Sequence, residues 1–424
     1  MLDVKLLRES PDVIRNDLRR REWSDKLPLV DEAIQLDKKW RELKKQVDDL
    51  RHRQNQLTDE IAGMKRAGEP IEEKLNEVRG IPQRIKELEL AADASQKRVR
   101  EILMGLPNIL HESVPVGPDD SGNVAIRTFG TPPTFDFALR DHIDVLANLG
   151  MVDMERAAKI SGARFFFLKG DAMILEQSIM RYALDVLSQR GFVPVSPPAM
   201  MRKEAYQGVV DLNDFGPVIY KIERDDLYMI ATSEHPLTAM HMDEILEGTS
   251  LPIRYCGFSP CFRVEAGAHG KDTKGIFRTH QFYKVEQVVL AKPEDSWRVH
   301  EELIANAETI FQSLGLHYRV VNVCTGDMGT VPAKKYDLEA WMPVQKKFRE
   351  MVSCSNVTDY QARRLMIRYR DKPSEDPRLV HTLNSTAVTT RALVAIVENF
   401  QQADGSIRIP APLVSYMGGR QKMG

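Results

Sequence analysis

Apolar residues recur along the first hundred positions with helical spacing. Leu36, Trp40, Leu43, Val47, Leu50, Gln54, Leu57, Ile61 and Met64 alternate steps of four and three, a heptad seam sustained over about four heptads. The seam predicts one long helix. After "RAGEP" the spacing resumes at Ile71, Leu75 and Val78 and continues through Ile85, Leu88, Ala92, Val99 and Ile102, so a second helix returns along the first. Two turns compete, one at residues 68–70 and one at Pro82, because a proline inside a helix lacks the amide and crowds the preceding turn. A tip at 68–70 gives two helices of roughly 35 to 40 residues, or about 50 to 60 Å at 1.5 Å per residue. A tip at Pro82 leaves them badly unequal. The reading is therefore an antiparallel hairpin with Pro82 as a kink in its second helix.

The pattern changes at "LPNILHESVPVGPDDSGNVAIRTFGTPPTFDF", where prolines, glycines and polar residues replace the heptads and mark a linker. Beyond it, a helical segment spans about Ile174 to Arg190, and strand-like alternation recurs near Tyr228, Tyr255, Phe277, Tyr318 and Tyr336. Strands grouped together, with helices between and after them, predict an α+β fold on a mostly antiparallel sheet. The expected organisation is an N-terminal domain at 1–110, a linker at 111–135 and a larger domain at 136–424.

Length agrees with two domains, since 424 residues exceed what one core usually organises. The 59 basic and 61 acidic residues leave a net charge of -2, so a polyanion has to be held by local patches and not by overall sign. In the hairpin the basic residues, Lys38, Lys39, Arg41, Lys44, Lys45, Arg51, Arg53, Lys65 and Arg66, are interleaved with acids, which reads as a solvated surface on a long lever. The four cysteines, Cys256, Cys261, Cys324 and Cys354, form no C-x-x-C pair and have no histidines at zinc spacing, which predicts reduced thiols and no structural zinc. With no apolar run of signal or membrane length, the expected location is the cytoplasm.

Chemistry concentrates between Cys261 and Gln287, where "CFRVEAGAHGKDTKGIFRTHQFYKVEQ" places five cations, three acids and three glycines between strand-like stretches. Alternation puts Arg263 and Glu265 on one strand face before the loop, and Arg278, Phe282 and Glu286 on one face after it. Two guanidiniums offer forked donors to a polyphosphate, an exposed ring suits a planar base, and a carboxylate suits an amine. That inventory fits a nucleotide plus an amine. A hairpin with cross-strand ion pairs is the plainer alternative. Neither a P-loop nor a G-x-G-x-x-G is present, so arginines have to do the phosphate binding.

"FRVEAGAHGKDTKGIFRTHQFYKVEQ" resembles motif 2 of the seryl-tRNA synthetases, a class II aminoacyl-tRNA synthetase family. "GFVPVSPP" resembles the end of motif 1, "YMIATSEHPLT" the serine-site segment, and "CTGDMGTVPAKKYDLEAWMP" the strand and loop after motif 2. "EMVSCSNVTDYQARR" resembles the metal-site segment, "HTLNSTAVTTRALVAIVENFQ" motif 3, and "SYMGG" the C-terminal end. The likeness covers nearly the whole chain, because the family also carries an N-terminal helical hairpin. It implies an antiparallel catalytic core, a homodimer joined through motif 1, and a serine-tRNA ligase. That enzyme forms seryl-adenylate from serine and ATP, then transfers the seryl group to the 3' end of tRNA(Ser). Whether tRNA(Sec) is also charged stays open.

By the same resemblance, Arg263 holds the α-phosphate and the serine carboxylate, and Arg278 and Arg391 bind the outer phosphates. Glu265 accepts from the adenine amino group and Phe282 stacks on the ring. Val264, Glu350, Met351, Val352 and Ser353 complete the ATP site, with Glu350 and Ser353 as ligands of Mg2+. Serine falls to Thr232, Ser233, Glu234, Arg263, Glu286, Asn384 and Thr386, with Ser385 as an alternative to Thr386. His280 and Cys354 receive no chemical role. The hairpin is expected to recognise the long variable arm of the tRNA, whose acceptor end reaches the catalytic domain. A ligase charging a carrier protein, or a non-catalytic paralogue, are the rival readings. The first has little use for the hairpin, and the second would be expected to have lost an arginine or Glu350.

Overall fold

The computed structural model describes residues 1–265 and 275–424, which form two units, Met1–Ile109 and Leu110–Gly424. Most of the glycine-rich loop read in the sequence, 266–274, lies outside the described residues.

In the first unit, short helices α1 (Val4–Glu9) and α2 (Pro11–Arg20) precede the long helices α3 (Leu27–Ala67) and α4 (Glu72–Gly105). Helix α3 ends where Gly68 adopts φ +75°, a left-handed cap open to a residue without Cβ, and its amide returns to the Met64 carbonyl. Pro82 lies inside α4. The heptad seam closes on itself: Val47 and Leu57 of α3 pack with Ile81, Ile85 and Leu88 of α4. Ion pairs cross the same seam antiparallel, Arg51 with Glu89 at 2.6 Å, Arg53 with Glu77 at 2.6 Å and Lys74 with Glu60 at 2.7 Å. Each contributes little at an exposed site, but together they disfavour a slipped register. Near the root, Asp37 takes both Arg8 (2.7 Å) and Arg41 (3.1 Å).

The second unit is built on an eight-stranded sheet. Its strands are β1 (Val124–Phe129), β2 (Val193–Val195), β3 (Ile253–Phe262), β4 (Gln281–Ala291), β5 (Tyr318–Asn322), β6 (Lys334–Met342), β7 (Lys347–Thr358) and β8 (His381–Thr389), in the order β1-β5-β6-β7-β8-β4-β3-β2. Every neighbouring pair is antiparallel except β2 with β3. Helices α5 (Asp171–Ser188), α7 (Ser296–Ser313) and α8 (Thr390–Phe400) pack on one face, burying Val285, Val289, Leu338, Val352 and Val388. On the other face sits the six-residue helix α6 (Glu234–Ala239).

Three sequence expectations change. The stretch read as a linker at 111–135 belongs to the sheet unit: β1 pairs with β5, and Leu110 and Val114 pack on Val321, Val323 and Met328. Its prolines and glycines shape the entry to an edge strand. Phe277 and Arg278 precede β4 and are not in a strand, so alternation does not set Arg278 beside Phe282 and Glu286. Arg263 and Glu265 lie past the end of β3, and Glu265 has φ +53°, so side-chain alternation does not govern them.

Bulges bend the central strands, and two of them bear on the cavity. The β6–β7 register passes from Leu338–Val352 to Glu339–Glu350, leaving Met351 extra, and β4–β8 passes from Val285–Val388 to Glu286–Thr386, leaving Ala387 extra. On β3, Gly257 stands opposite Glu286; a Cβ there would lie 2.7 Å from Ser233 Oγ and from a Leu237 methyl. Its bareness lets α6 seat on the sheet. Gly257→Val is expected to cost about 1–3 kcal/mol of stability, read as a lower urea midpoint with little change in slope. An unchanged midpoint would show that α6 is not held by this contact.

Candidate active site

The sheet face beneath α6 bounds a cavity of about 400 Å³. Alternation along β4 turns Phe282, Lys284 and Glu286 toward it, and β8 contributes Asn384 and Thr386. The bulge at Met351 matters here. Glu350 and Ser353 are three apart, which in a regular strand places them on opposite faces, yet both line the cavity.

One end of the cavity is cationic. Arg263, Arg278 and Arg391 arrive from three separate segments. Arg263 lies over the Phe282 ring, 5.2 Å from its centre, and its Nε donates to the Ala231 carbonyl at 3.4 Å. Arg278 pairs with Glu265 at 3.0 Å. Arg391 stands 4.7 Å from the centre of the Phe277 ring, donates to the Glu350 carbonyl at 2.9 Å and approaches the Glu350 carboxylate at 3.7 Å. The cleft disfavours charge on Glu350, but Arg391, then Lys335, Arg263 and Arg278, hold its carboxyl below the ordinary range. Guanidiniums so near one another repel, so the site is poised for an anion.

Arg391 is held from below. Thr389 caps α8 by accepting from the Arg391 amide at 3.1 Å, while Thr390 donates to buried Glu176 at 2.6 Å and accepts from the Tyr283 amide at 3.1 Å. At the mouth of the hairpin, the Arg263 amide donates to the His280 carbonyl, and His280 Nδ1 donates to the Arg263 carbonyl, both at 2.9 Å. His280 thus fixes the backbone of the arginine beside it.

The other end holds two carboxylates. Glu286, 1 % exposed, takes Lys284 Nζ at 2.5 Å and the Thr386 hydroxyl at 3.2 Å, both on Oε2. Glu234 accepts from the Gln361 amide at 3.3 Å, and its own amide donates to Thr232 Oγ1 at 3.1 Å. Burial, then the neighbouring charge of Glu286, push Glu234 up to about 7, and burial raises Glu286 as well. His235 beside them is held neutral, its pKa lowered by burial, with Nδ1 2.8 Å from the Tyr206 hydroxyl.

Of the residues singled out from sequence, Arg263, Glu265, Arg278, Phe282, Glu350, Met351, Ser353 and Arg391 line the cationic part of the cavity. Thr232, Glu234, Glu286, Asn384 and Thr386 line the remainder. Ser233, Val264, Val352 and Ser385 are not on its wall. Ser233 donates to the Gly257 carbonyl at 3.2 Å, the Val264 amide to the Val218 carbonyl at 2.9 Å, Val352 sits in the core, and Ser385 donates to the Thr386 carbonyl at 3.1 Å. Lys284, Lys335 and Phe277 line the cavity without having been singled out. For Lys284 a signal existed, since it alternates between Phe282 and Glu286. For Phe277, whose ring also faces Arg349 at 4.1 Å, none did.

The arrangement can receive a polyphosphate at the arginines, a planar base at Phe282 and a small ammonium at the carboxylates. Glu350 with the Ser353 hydroxyl offers hard oxygen donors that fit a divalent cation beside the phosphates.

Comparison with known proteins agrees with this chemistry. The seryl-tRNA synthetase N-terminal domain profile matches residues 1–110, and the tRNA synthetase class II core domain profile (G, H, P, S and T) matches residues 220–400. A serine–tRNA ligase of Methanoregula boonei is 54% identical over 427 residues, covering 99% of this chain and 100% of the relative. The crystal structure of seryl-tRNA synthetase from Pyrococcus horikoshii complexed with ATP superposes with a TM-score of 0.97 at 50% identity, covering 100% of this chain and 99% of that one. A cytoplasmic serine-tRNA ligase from Naegleria fowleri in complex with AMP gives 0.90 at 37% identity, covering 100% and 98%.

The raised carboxyl of Glu234 has a consequence for stability. Between its unfolded value of 4.5 and about 7, the folded chain holds a proton that the unfolded chain has released, so this group withdraws stability as pH rises through that window. Glu234→Gln removes the effect. The variant should gain stability relative to the parent at about pH 8 and gain little at about pH 4.5, as melting temperatures at the two pH values will show. An equal gain at both would place the titration elsewhere.

Proposed function

We propose that this chain, which belongs to the seryl-tRNA synthetase family and joins serine to tRNA at the expense of ATP, does so in this cavity with Arg263 as its electrostatic centre. The observation that carries the assignment is the convergence of Arg263, Arg278 and Arg391 on a cavity whose far end holds Glu234 and Glu286. ATP lies with its adenine on Phe282 and its amino group toward Glu265, with Met351 alongside. Its outer phosphates lie at Arg278 and Arg391. Serine lies with its carboxylate at Arg263 and its ammonium and hydroxyl among Thr232, Glu234, Glu286, Asn384 and Thr386. Ser233 serves that pocket by tying α6 to β3.

The chemistry is positioning and charge. Arg263 brings a serine carboxylate oxygen in line with the α-phosphorus and meets the charge that grows on the phosphoryl oxygens, while pyrophosphate departs toward Arg278 and Arg391. The terminal ribose hydroxyl of tRNA then attacks the seryl carbonyl and AMP leaves. Glu350 and Ser353 would hold Mg2+, which when bound supplies charge neutralisation at the phosphates. The exposed lysines of α3, including Lys38, Lys39, Lys45 and Lys65, take part in no ion pair among the described residues. They suit the hairpin to a backbone of phosphates, and we assign it the long variable arm of tRNA(Ser). A homodimer formed through the segment around α5 and β2, and a cytoplasmic location for the buried free thiols, complete the reading. No helix among the described residues is long and apolar enough to cross a membrane.

Arg263→Ala is expected to lower serine-dependent ATP–pyrophosphate exchange by at least about a hundredfold, the scale of removing one charge-stabilising donor. Near-normal exchange would remove Arg263 from the centre. Replacing residues 37–102 by a short linker should spare exchange and severely impair charging of tRNA. Normal charging by the folded deletion protein would leave the hairpin without a role in tRNA recognition.

A further inference from the structure

The carboxylate end of the cavity contains a resident cation, Lys284. Lys284 sits two residues before Glu286 on β4, turned to the same side, and its side chain is 7 % exposed against 1 % for that of Glu286. A lysine so deeply placed has given up most of its hydration, and among the described residues the compensation is one short contact, Nζ to Oε2 at 2.5 Å. Thr386 donates to the same oxygen. Both protein donors therefore end on Oε2, and Oε1 of Glu286 has no partner among the described residues. Glu234, the second carboxylate, has as its side-chain partner only the neutral Gln361 amide among the described residues.

Counting charge separates the two acids. The groups around Glu286 are Lys284 on its own strand, Glu234 and neutral His235 from α6, Arg263 beyond β3, and the thiols Cys261 and Cys354, both raised by burial. Arg263 is turned to the Phe282 ring and the Ala231 carbonyl. Two carboxylates thus share one nearby cation, and the pocket is short of one positive charge, which an ammonium would supply.

Resting on the serine-site reading above, we infer that Lys284 is a specificity-determining residue. Its ammonium holds Glu286 as an ionised, acceptor-only carboxylate whose free oxygen demands a hydroxyl donor from the substrate, and it leaves Glu234 to receive the substrate ammonium. Alanine, lacking the donor, leaves a dehydrated carboxylate oxygen unpaired and is rejected by more than its smaller size explains. Were Lys284 absent, the two acids would share a proton or both turn to the substrate ammonium. In either case the demand for a hydroxyl would relax.

The test compares Lys284→Met and Lys284→Arg in the full chain by ATP–pyrophosphate exchange with serine and with alanine, from about pH 6 to 9. Lys284→Met should lower serine kcat/KM about tenfold at neutral pH, the scale of a lost hydrogen bond to a charged group, with the ATP KM almost unchanged. It should also narrow the serine-to-alanine ratio and move the acid limb of serine kcat/KM to higher pH. Lys284→Arg, keeping the charge, should hold the limb near its parental position. An unmoved limb and ratio in Lys284→Met, or equal shifts in both variants, overturn the role. Glu234→Gln in the same assay separates the two levels: an unchanged serine KM there means that the serine-site reading has failed, whereas a raised one with an indifferent Lys284→Met sinks Lys284 alone. Should Lys284→Met not fold, Lys284→Gln takes its place with the same expected outcomes.

Discussion

Charge taken out of water must be answered by charge, and the layout of the sheet unit follows from that demand. Arg263, Arg278, Arg391, Lys284 and Lys335 line one cavity with Glu234, Glu265, Glu286 and Glu350. The most deeply buried pair, Lys284 and Glu286, could not be set there singly, because the dehydration of an isolated ion exceeds what packing returns. The pairs Lys284–Glu286, Arg278–Glu265 and Arg391–Glu350 bring opposite charges together within the cavity.

The sheet makes this arrangement possible by keeping its two faces apart. Val285, Val289, Leu338, Val352 and Val388 face the helices, and the alternate residues of the same strands carry the chemistry. Strict alternation alone would have spoiled the site. Were Met351 paired in a regular ladder, Glu350 and Ser353, three apart, would face opposite ways; the register shift in β8 comes directly after Thr386, which stays paired with Glu286. The bulges therefore shape the cavity wall, at the modest cost of a few unmade ladder bonds.

The helical unit obeys a different economy. Its seam is apolar and continuous, and its ion pairs run across the outside where solvent screens them. The hairpin is specified by local repetition, the cavity by contacts between residues far apart in the chain. Glu234 and Glu286 are separated by dozens of positions and meet only because Gly257 lets α6 sit directly on β3.

That difference explains what could be read in the amino-acid order. The long helices, their turn at Gly68, the place of Pro82 within α4 and the antiparallel α+β class follow from periodicity, which each segment expresses by itself. The need for arginines at a phosphate site and carboxylates at an amine site followed from residue type. Tertiary structure alone decided that residues 124–129 join the sheet as an edge strand, and that Arg263 and Glu265 leave β3 before their chemistry begins, with Glu265 in a left-handed turn. It also turned Ser233 and Ser385 onto backbone carbonyls and closed Lys284 on Glu286. Bulges, cross-strand partners and the direction of a buried side chain depend on register with distant segments, and a periodic pattern carries no information about which segment will be opposite.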